Sequence, residues 1–355
     1  MISKTVYLLG AGASKELFGL PVMNEFFKNF SVKKYESLSK FLSEYFFNGL
    51  KNQDLENEIN KSDKLNLEDV ITFLELGLNR MGSFGKVPDS YLIEARNDSN
   101  KLIRDMLDMD YSNRITEISE KIKIFEKLSK RSDISQCTDS IISLNYDLGF
   151  DNILYNFSDR NSLRPNSVDH RTILGRMYEI LGRGDAIFAD FPTYKNIKDS
   201  GFFLKLHGSL NWVYCQNEYC DNNRQFFGSR IWLPESQFNA DDICILCGSP
   251  LVPVIIPPTL AKSFEQFPKM GFIWSLAYRE LCKADNIVIF GISFAPSDYY
   301  LRWLLRSAVA NRNNDQKPKI KVIDINRDVY DEVEKITGVK PDFKVSFEEY
   351  LDSLN

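Results

Sequence analysis

Short apolar runs that end in glycine or polar residues constrain the fold of this chain more than any other feature of its sequence. The first run, residues 5–9, leads directly into a turn with the sequence Gly-Ala-Gly-Ala-Ser. Further runs lie at residues 140–144, 202–206, 252–256, 286–290 and 319–325. They are rich in Ile, Val and Phe, and helical spacing separates several of them, as in buried parallel strands joined by helices. The sequence therefore predicts an α/β fold with a doubly wound, Rossmann-like parallel sheet.

A long helical stretch separates the first apolar run from the second. Residues 21–47, 65–80 and 91–131 show helical spacing, and Asn66 and Asp69 are suitable starts for the second of these segments. A stretch of about a hundred residues exceeds what a strand-to-strand crossover needs. We therefore predict one domain over residues 1–355 with a helical insertion at 30–135. Residues 343–354 predict a last strand and a short helix.

Charge and composition exclude several classes of protein. The net charge of −5 argues against general affinity for nucleic acid or anionic membranes. Hydrophobic residues make up 43% and charged residues 26% of the chain, as in a soluble globular protein. No run approaches the roughly 18 apolar residues of a membrane span, and no signal-peptide pattern precedes the first strand. We therefore expect a cytoplasmic protein without membrane contact.

The glycine turn after the first run is a candidate phosphate site. Small residues let a backbone approach a pyrophosphate, whose charge the N–H groups of the turn and the following helix can bind. A tight strand-to-helix turn without a ligand explains the same residues equally well. The candidate residues here are Gly10, Ala11, Gly12 and Ser14.

Polar residues follow the second and third runs. Asn145 and Asp147 can face one side if the backbone stays extended, where the amide could orient a ribose hydroxyl or a water and the carboxylate could accept from a carboxamide. An Asx turn that caps a helix is the commoner use of such residues. His207 precedes Gly208-Ser209 and so lies at a turn, where site residues are often found, although a lone histidine is more often structural. His170, the second histidine, is interpreted as a solvated loop residue.

Two further strand ends carry small or polar residues. Gly291 and Ser293 follow residues 286–290, and Asn326 follows the run that begins at Lys319. These residues suit phosphate and adenosine contacts, and ordinary turn chemistry is the alternative. Asp298 is predicted to cap the helix that starts at residue 299.

Four cysteines have the spacing of a structural zinc ribbon. They form two pairs separated by 23 residues, and the second pair reads Cys-Ile-Leu-Cys-Gly. Four thiolates would give a closed tetrahedral site, so the zinc would be structural, within a small flap at residues 212–250. Free thiols are the alternative; Cys137 and Cys282 lack a partner pattern and are interpreted as buried apolar residues. The predicted ligands are Cys215, Cys220, Cys244 and Cys247.

The order of these motifs resembles that of the sirtuin (silent information regulator) family. The glycine-rich first turn, Asn-x-Asp, His-Gly, the two cysteine pairs, the run Leu251–Pro257, Gly-x-Ser and a final Asn follow one another as in that family. Gly19-Leu-Pro21 also resembles the family's Gly-Ile-Pro. The resemblance spans residues 4 to about 326, and residues from about 30 to 135 carry no family motif.

Two departures distinguish the chain from sirtuin deacylases. Val22-Met-Asn24 stands where deacylases have Asp-Phe-Arg, and Leu144 stands where they have Gln before Asn-x-Asp. This pattern is similar to bacterial sirtuin-like effectors of antiphage defence, which hydrolyse NAD and commonly act with a partner module. The resemblance implies an NAD hydrolase, gated by assembly into a homo-oligomer or by a separate partner chain such as an ATPase or other sensor.

The resemblance also implies roles for the candidate residues. Asn145 would orient a water and the ribose, Asp147 would bind the nicotinamide carboxamide, and His207 would hold a ribose hydroxyl or act as general base. The turn residues Gly10, Ala11, Gly12 and Ser14 would cradle the pyrophosphate, with Gly291 and Ser293 beside it and Asn326 toward the adenosine. Two other functions stay open: an NAD-dependent protein deacylase and a non-catalytic nucleotide-binding module.

Overall fold

A computed structural model gives the fold of the chain. It describes residues 3–62, 65–78, 89–126, 139–157, 201–215, 217, 219–221, 226–228, 243–256, 267–295, 298–310 and 312–354. Contacts among these residues divide the chain into two compact units. One unit combines Met1–Phe18, Asp110–Ile256 and Ala261–Asn355 and contains every strand that the described residues form, and the other is mainly Gly19–Met109.

Six parallel strands form the main sheet. The strands are β1 (Thr5–Leu9), β2 (Ser140–Ser143), β3 (Phe203–Lys205), β7 (Asn286–Phe290), β8 (Lys319–Ile323) and β9 (Asp342–Lys344). Their order across the sheet is β3-β2-β1-β7-β8-β9, and every neighbouring pair is parallel. The chain thus adds β2 and β3 on one side of β1 and then β7, β8 and β9 on the other side, which confirms the predicted doubly wound sheet.

The inner strands read as continuous apolar runs because both of their faces are covered. Val6, Leu8 and Leu9 of β1 have no exposed surface, and all four residues of β2 are buried. On one face, Phe347 stacks on Phe290 of β7 and on Phe125, with ring centroids 5.0 and 5.9 Å apart. Such burial is typical of parallel sheets flanked by helices.

A second, smaller sheet is antiparallel. It consists of β4 (Gly208–Cys215), β5 (Phe226–Gly228) and β6 (Leu251–Ile255), in the order β5-β4-β6. The prediction that residues 252–256 form a parallel strand is therefore wrong: β6 pairs antiparallel with β4, across a register shift between Ser209 and Val213. A short apolar run indicates burial but not the direction of its partner, so periodicity could not distinguish the two sheets.

Helices connect the strands of the main sheet and also make up most of the second compact unit. Asn66 caps its helix as predicted, because its side chain accepts a hydrogen bond from the Glu68 N–H at 2.9 Å. The other two predicted segments also contain helices: residues 21–47 hold a 3₁₀ turn before one helix, and Asp110 caps a further helix within residues 91–131. The helices are α1 (Ala11–Phe18), α2 (Glu36–Tyr45), α3 (Asn52–Lys61), α4 (Leu67–Leu76), α5 (Asp89–Leu107), α6 (Tyr111–Glu117), α7 (Ser119–Ile122), α8 (Gly149–Phe157), α9 (Pro268–Lys283), α10 (Tyr299–Val309), α11 (Asp328–Thr337) and α12 (Phe347–Asp352).

The last strand and helix lie where the sequence predicts them, at β9 and α12. Among the residues described above, no helix is both long enough and apolar enough to cross a bilayer. Cys282 is half-buried on α9, whereas Cys137 and His170 lie outside the described residues.

Candidate functional site

Three glycines pack backbone against backbone where β1 and β7 end. The Gly12 N–H donates to the Gly291 oxygen at 2.9 Å, and the Gly10 N–H donates to Phe290 at the same distance. A Cβ on Gly10 or Gly12 would lie 2.4 or 2.6 Å from atoms of Gly291, which itself has a φ of +65°. The close approach of the two strand ends therefore explains why Gly10 and Gly12 carry no side chain, and phosphate binding at this turn stays a prediction.

Ser14, Asn145 and Asp147 form one hydrogen-bonded cluster. The Asn145 amide donates to the Ser14 hydroxyl at 2.8 Å, and that hydroxyl donates to the Asp147 carboxylate at 2.7 Å. All three side chains are buried. The structure thus joins two motifs that lie more than a hundred residues apart in sequence, at the carboxyl edge of β1 and β2.

The amide of Asn145 has a fixed orientation. Its second N–H donates to the Gly10 carbonyl at 2.8 Å, and a carbonyl can only accept, so the nitrogen must face Gly10. Both amide hydrogens are then used. Among the described residues, none donates a hydrogen bond to the Asn145 Oδ1, which leaves this oxygen as the acceptor that the cluster presents.

Asp147 also holds Gly149, the first residue of helix α8. Its Oδ1 accepts from the Gly149 N–H at 2.9 Å, the Asx-turn contact that is the common use of such a residue. Its Oδ2 accepts from Ser14, so the carboxylate links the glycine turn, the end of β2 and the start of α8. Ser14 is consequently engaged on both sides of its hydroxyl, which makes it a residue that holds Asn145 and Asp147 in place.

His207 lies in the turn between β3 and β4 and is 4% exposed. Its ring faces Trp274 of α9, with ring centroids 6.3 Å apart and an interplanar angle of 25°, and it lies 6.4 Å from the Tyr146 ring. The Trp274 indole N–H donates to the Leu206 carbonyl at 3.0 Å, which holds helix α9 against the turn that carries His207. His207 is therefore held beside the segment that carries Asn145 and Asp147.

Asp298 does not cap helix α10 as predicted. It occupies the N-cap position, but its side chain makes no capping hydrogen bond. Instead its Oδ1 lies 3.9 Å from the His207 Nε2, and the side chain is buried. The sequence could not show this contact, because Asp298 and His207 are brought together only by the strand order.

Ser293 and Asn326, two further predicted residues, make no hydrogen bond with this cluster in the described part of the chain. Ser293 is exposed, and Asn326 is exposed with its Oδ1 accepting from the Asp328 N–H at 2.9 Å at the start of α11. Phe294, next to Ser293, is buried with a φ of +51°, a left-handed conformation that is uncommon for an aromatic residue. The turn after β7 is therefore held in a strained backbone conformation beside Gly291.

The four predicted cysteines lie together at one end of the antiparallel sheet. Their sulfur atoms lie within 4.8 Å of one another, and the Cys215–Cys247 and Cys220–Cys244 pairs are 3.5 and 3.7 Å apart. A tetrahedral zinc with Zn–S bonds of about 2.3 Å places its sulfurs about 3.8 Å apart. Hydrogen bonds from Ser249 lower the pKa of the Cys247 thiol to about 6, whereas burial raises the pKa of the Cys215 thiol to about 12, so the sulfur geometry carries the assignment. The cluster fits structural zinc.

The main sheet reverses its strand order at β1 and carries a polar cluster at its carboxyl edge, so the chain is a doubly wound α/β protein. The antiparallel sheet adds a four-cysteine site. No family model matches the sequence, and no curated protein matches it. The fold is similar to solved structures of Sir2 proteins. One, a Sir2 homologue in complex with NAD, is 15% identical over 99% of this chain and 87% of its own, with a TM-score of 0.44. A Sir2 homologue mutant with ADP-ribose is 15% identical over 99% and 90% of the two chains, with a TM-score of 0.41.

Proposed function

We propose that the chain is an NAD hydrolase that cleaves the nicotinamide–ribose bond and releases nicotinamide and ADP-ribose. The observation that carries the proposal is the Ser14–Asn145–Asp147 cluster, which fixes the Asn145 amide and leaves its Oδ1 as an acceptor. Tyr146 of the same segment lies 6.4 Å from the ring of the buried His207. The choice of hydrolysis over other chemistry is supported by the sirtuin-like order of the motifs and by Val22-Met-Asn24 and Leu144.

Dinucleotide binding is supported by the topology of the sheet. Counted among the six parallel strands alone, the order is 3-2-1-4-5-6, the doubly wound order that binds dinucleotides outside the carboxyl ends of the strands where the order reverses. The first turn of α1 lies at this point. Its Ala11 N–H has no backbone partner among the described residues, so it can donate to a phosphate oxygen favoured by the helix dipole.

Cleavage of the nicotinamide–ribose bond builds positive charge on the ribose, and a water then attacks the carbon that nicotinamide leaves. A site accelerates this step by fixing the ribose, excluding bulk water and orienting one water molecule. The Asn145 Oδ1 is suited to accept a hydrogen bond from that water or from a ribose hydroxyl. Asp147 would hold the nicotinamide carboxamide through the free lone pairs of its carboxylate.

His207 would hold a ribose hydroxyl or accept a proton from the attacking water. Its burial against Trp274 keeps bulk water from the ring, and the Asp298 carboxylate, 3.9 Å from the His207 Nε2, would offset the positive charge that forms when the imidazole takes that proton. Gly10, Gly12 and Gly291 would shape the pyrophosphate side of the crevice, while Ser293 and Asn326 are exposed for contacts with phosphate and adenosine.

We further propose that the hydrolase is a gated effector of antiphage defence that acts by depleting NAD. Unregulated hydrolysis would kill the host, so assembly into a homo-oligomer or the binding of a separate partner chain would switch it on. The four-cysteine site would hold zinc as a structural ion that stabilises the antiparallel sheet and takes no part in the chemistry.

Product analysis tests the reaction class. The chain at high concentration is incubated with NAD, with and without an acetyl-lysine peptide and with and without lysate from infected cells. We expect nicotinamide and ADP-ribose in equal amounts, independent of the peptide. Nicotinamide release that requires the peptide would identify a deacylase, and binding of NAD without cleavage under every condition would identify a nucleotide-binding module.

A further inference from the structure

A buried lysine lies directly beneath the proposed site. Lys205 is the last residue of β3 and His207 follows two residues later, but only 1% of the Lys205 side chain is exposed. A lysine ammonium is almost never fully buried without partners, because removing its charge from water is costly. Its surroundings therefore need an explanation.

The three N–H donors of the Lys205 ammonium each meet an acceptor from another residue. Its Nζ donates to the Asp147 carbonyl at 2.7 Å, the Ser209 hydroxyl at 2.7 Å and the Asp151 carboxylate at 2.9 Å. The Ser209 hydroxyl in turn donates to the Asn211 side-chain oxygen at 2.7 Å. The donors of an ammonium are thus saturated by the segment after β2, the start of β4 and helix α8.

The Asp151 carboxylate is the counter-charge of Lys205. It is fully buried on α8, and only its Oδ2 is bonded, because its Oδ1 has no hydrogen-bond partner among the described residues. Burial raises the pKa of Asp151, and the Lys205 charge opposes that effect. An ion pair that leaves one buried oxygen unbonded is a poor source of stability, since apolar residues of similar volume often replace such pairs without loss.

The contact with the Asp147 carbonyl offers a different reason for the lysine. That carbonyl belongs to the residue whose carboxylate accepts from Ser14 and Gly149, and Ser14 in turn fixes the Asn145 amide. We propose that Lys205 is a positioning residue that holds the Asn145–Asp147 segment at the carboxyl edge of the sheet. This inference rests on the proposed NAD hydrolysis for its effect on turnover, but its structural part stands on the hydrogen bonds alone.

Three variants separate positioning from stability. Lys205→Met removes the ammonium and leaves Asp151 as an uncompensated buried charge, so the midpoint of thermal unfolding should fall. Lys205→Met with Asp151→Leu removes both charges, so the midpoint should return close to that of the wild type. Asp151→Asn leaves the Lys205 charge uncompensated, so its midpoint should also fall, but it keeps the Lys205 contacts with Asp147 and Ser209. It is therefore the control for lost stability without lost positioning contacts.

Hydrogen exchange reads the position of the segment without reference to activity. In the double variant we expect faster exchange of the amides of residues 145–150, with β1 and β7 unchanged, and in Asp151→Asn we expect wild-type exchange. Turnover gives the functional result: misplacing a reacting group by an ångström can cost about 100-fold, so kcat of the double variant should fall by about that factor while KM changes little. Asp151→Asn should keep turnover within a few-fold.

The two proposals can fail separately. Wild-type exchange at residues 145–150 and wild-type turnover in a stable double variant would overturn the positioning role, as would loss of turnover in a folded Asp151→Asn. If the wild-type chain does not cleave NAD under any condition, the proposed hydrolysis fails, and hydrogen exchange in the same variants still decides whether Lys205 holds the segment.

Discussion

At the scale of single residues, the site depends on which hydrogen bonds are already used within the protein. The glycines at positions 10 and 12 are required by the approach of Gly291, and the Ser14 hydroxyl is consumed by Asn145 and Asp147. These residues therefore shape the site, whereas Asn145 keeps an unused acceptor. From the residues alone, the glycine turn fitted a phosphate site and a ligand-free turn equally well, and the sirtuin-like order of the motifs implied direct ligand contact.

His207 and Asp298 provide a residue-scale prediction. Replacing His207 with alanine should lower the rate of NAD cleavage by 10²-fold or more, the effect typical of a lost acid–base group. Asp298→Asn keeps the size of the side chain but removes the charge 3.9 Å from the His207 Nε2, and we expect about a tenfold lower kcat. Turnover and thermal unfolding are measured side by side.

Asp315→Asn is the matched control for that pair, because Asp315 is exposed in the polar loop before β8. It should leave turnover unchanged. Wild-type rates in a folded His207→Ala protein would remove His207 from the site, and wild-type rates in Asp298→Asn would show that the carboxylate is only a neighbour.

At the scale of secondary-structure elements, the backbone contact between β1 and β7 makes Gly291 sensitive to a single methyl group. In Gly291→Ala the new Cβ would meet the Ala13 nitrogen at 2.2 Å, in addition to the unfavourable φ of +65°. We expect a loss of about 3 kcal/mol in the free energy of unfolding, combining overpacking and backbone strain. Chemical denaturation measures it.

Gly338→Ala separates the two causes of that loss. Gly338 follows α11 with a φ of +67°, but the nearest atom to a new Cβ is the end of the flexible Lys317 side chain at 3.4 Å. This variant should lose only about 1 kcal/mol, the cost of the left-handed conformation. Equal losses in the two variants would contradict the proposed close packing of Gly291.

Periodicity and strand-end chemistry predicted much of the sheet, for physical reasons that also explain the errors. Residues 5–9 and 286–290 are found as β1 and β7, because a buried parallel strand must be apolar on both faces. Residues 252–256 have the same composition but lie in the antiparallel sheet. Partners such as Asp298 and Lys205 could not be predicted, because their contacts cross long separations in sequence and depend on the final strand order.

At the scale of the whole molecule, the cysteine site should couple metal binding to stability. Purified protein should carry about one zinc per chain, given four thiolates, and Cys244→Ser with Cys247→Ser should release it and lower the unfolding midpoint. Cys282→Ser is the control, since Cys282 lies half-buried on α9 outside the cluster. Freshly purified protein without zinc, measured by elemental analysis, would refute the metal site.

The helical unit offers a whole-molecule prediction about gating. Glu94 and Lys101 are exposed on α5, and reversing both charges should disrupt the assembly or partner contact and abolish NAD depletion in infected cells. Glu334→Lys on α11 is the control, an exposed charge reversal in the unit that contains the sheet. The size of the assembly in solution and the cellular NAD level are measured for each variant. If the α5 variant stays assembled and fully active, the face of α5 that carries Glu94 and Lys101 has no part in gating.

The central claim is that NAD is cleaved by residues of the Ser14–Asn145–Asp147 cluster. The most direct measurement is the release of nicotinamide from NAD by the wild-type chain and by Asn145→Ala, each at high concentration with and without infected-cell lysate. We predict release by the wild-type chain that falls at least about 100-fold in a variant that remains folded, because the oriented acceptor is lost. Equal release by the two proteins, or none from the wild type under either condition, would contradict the account.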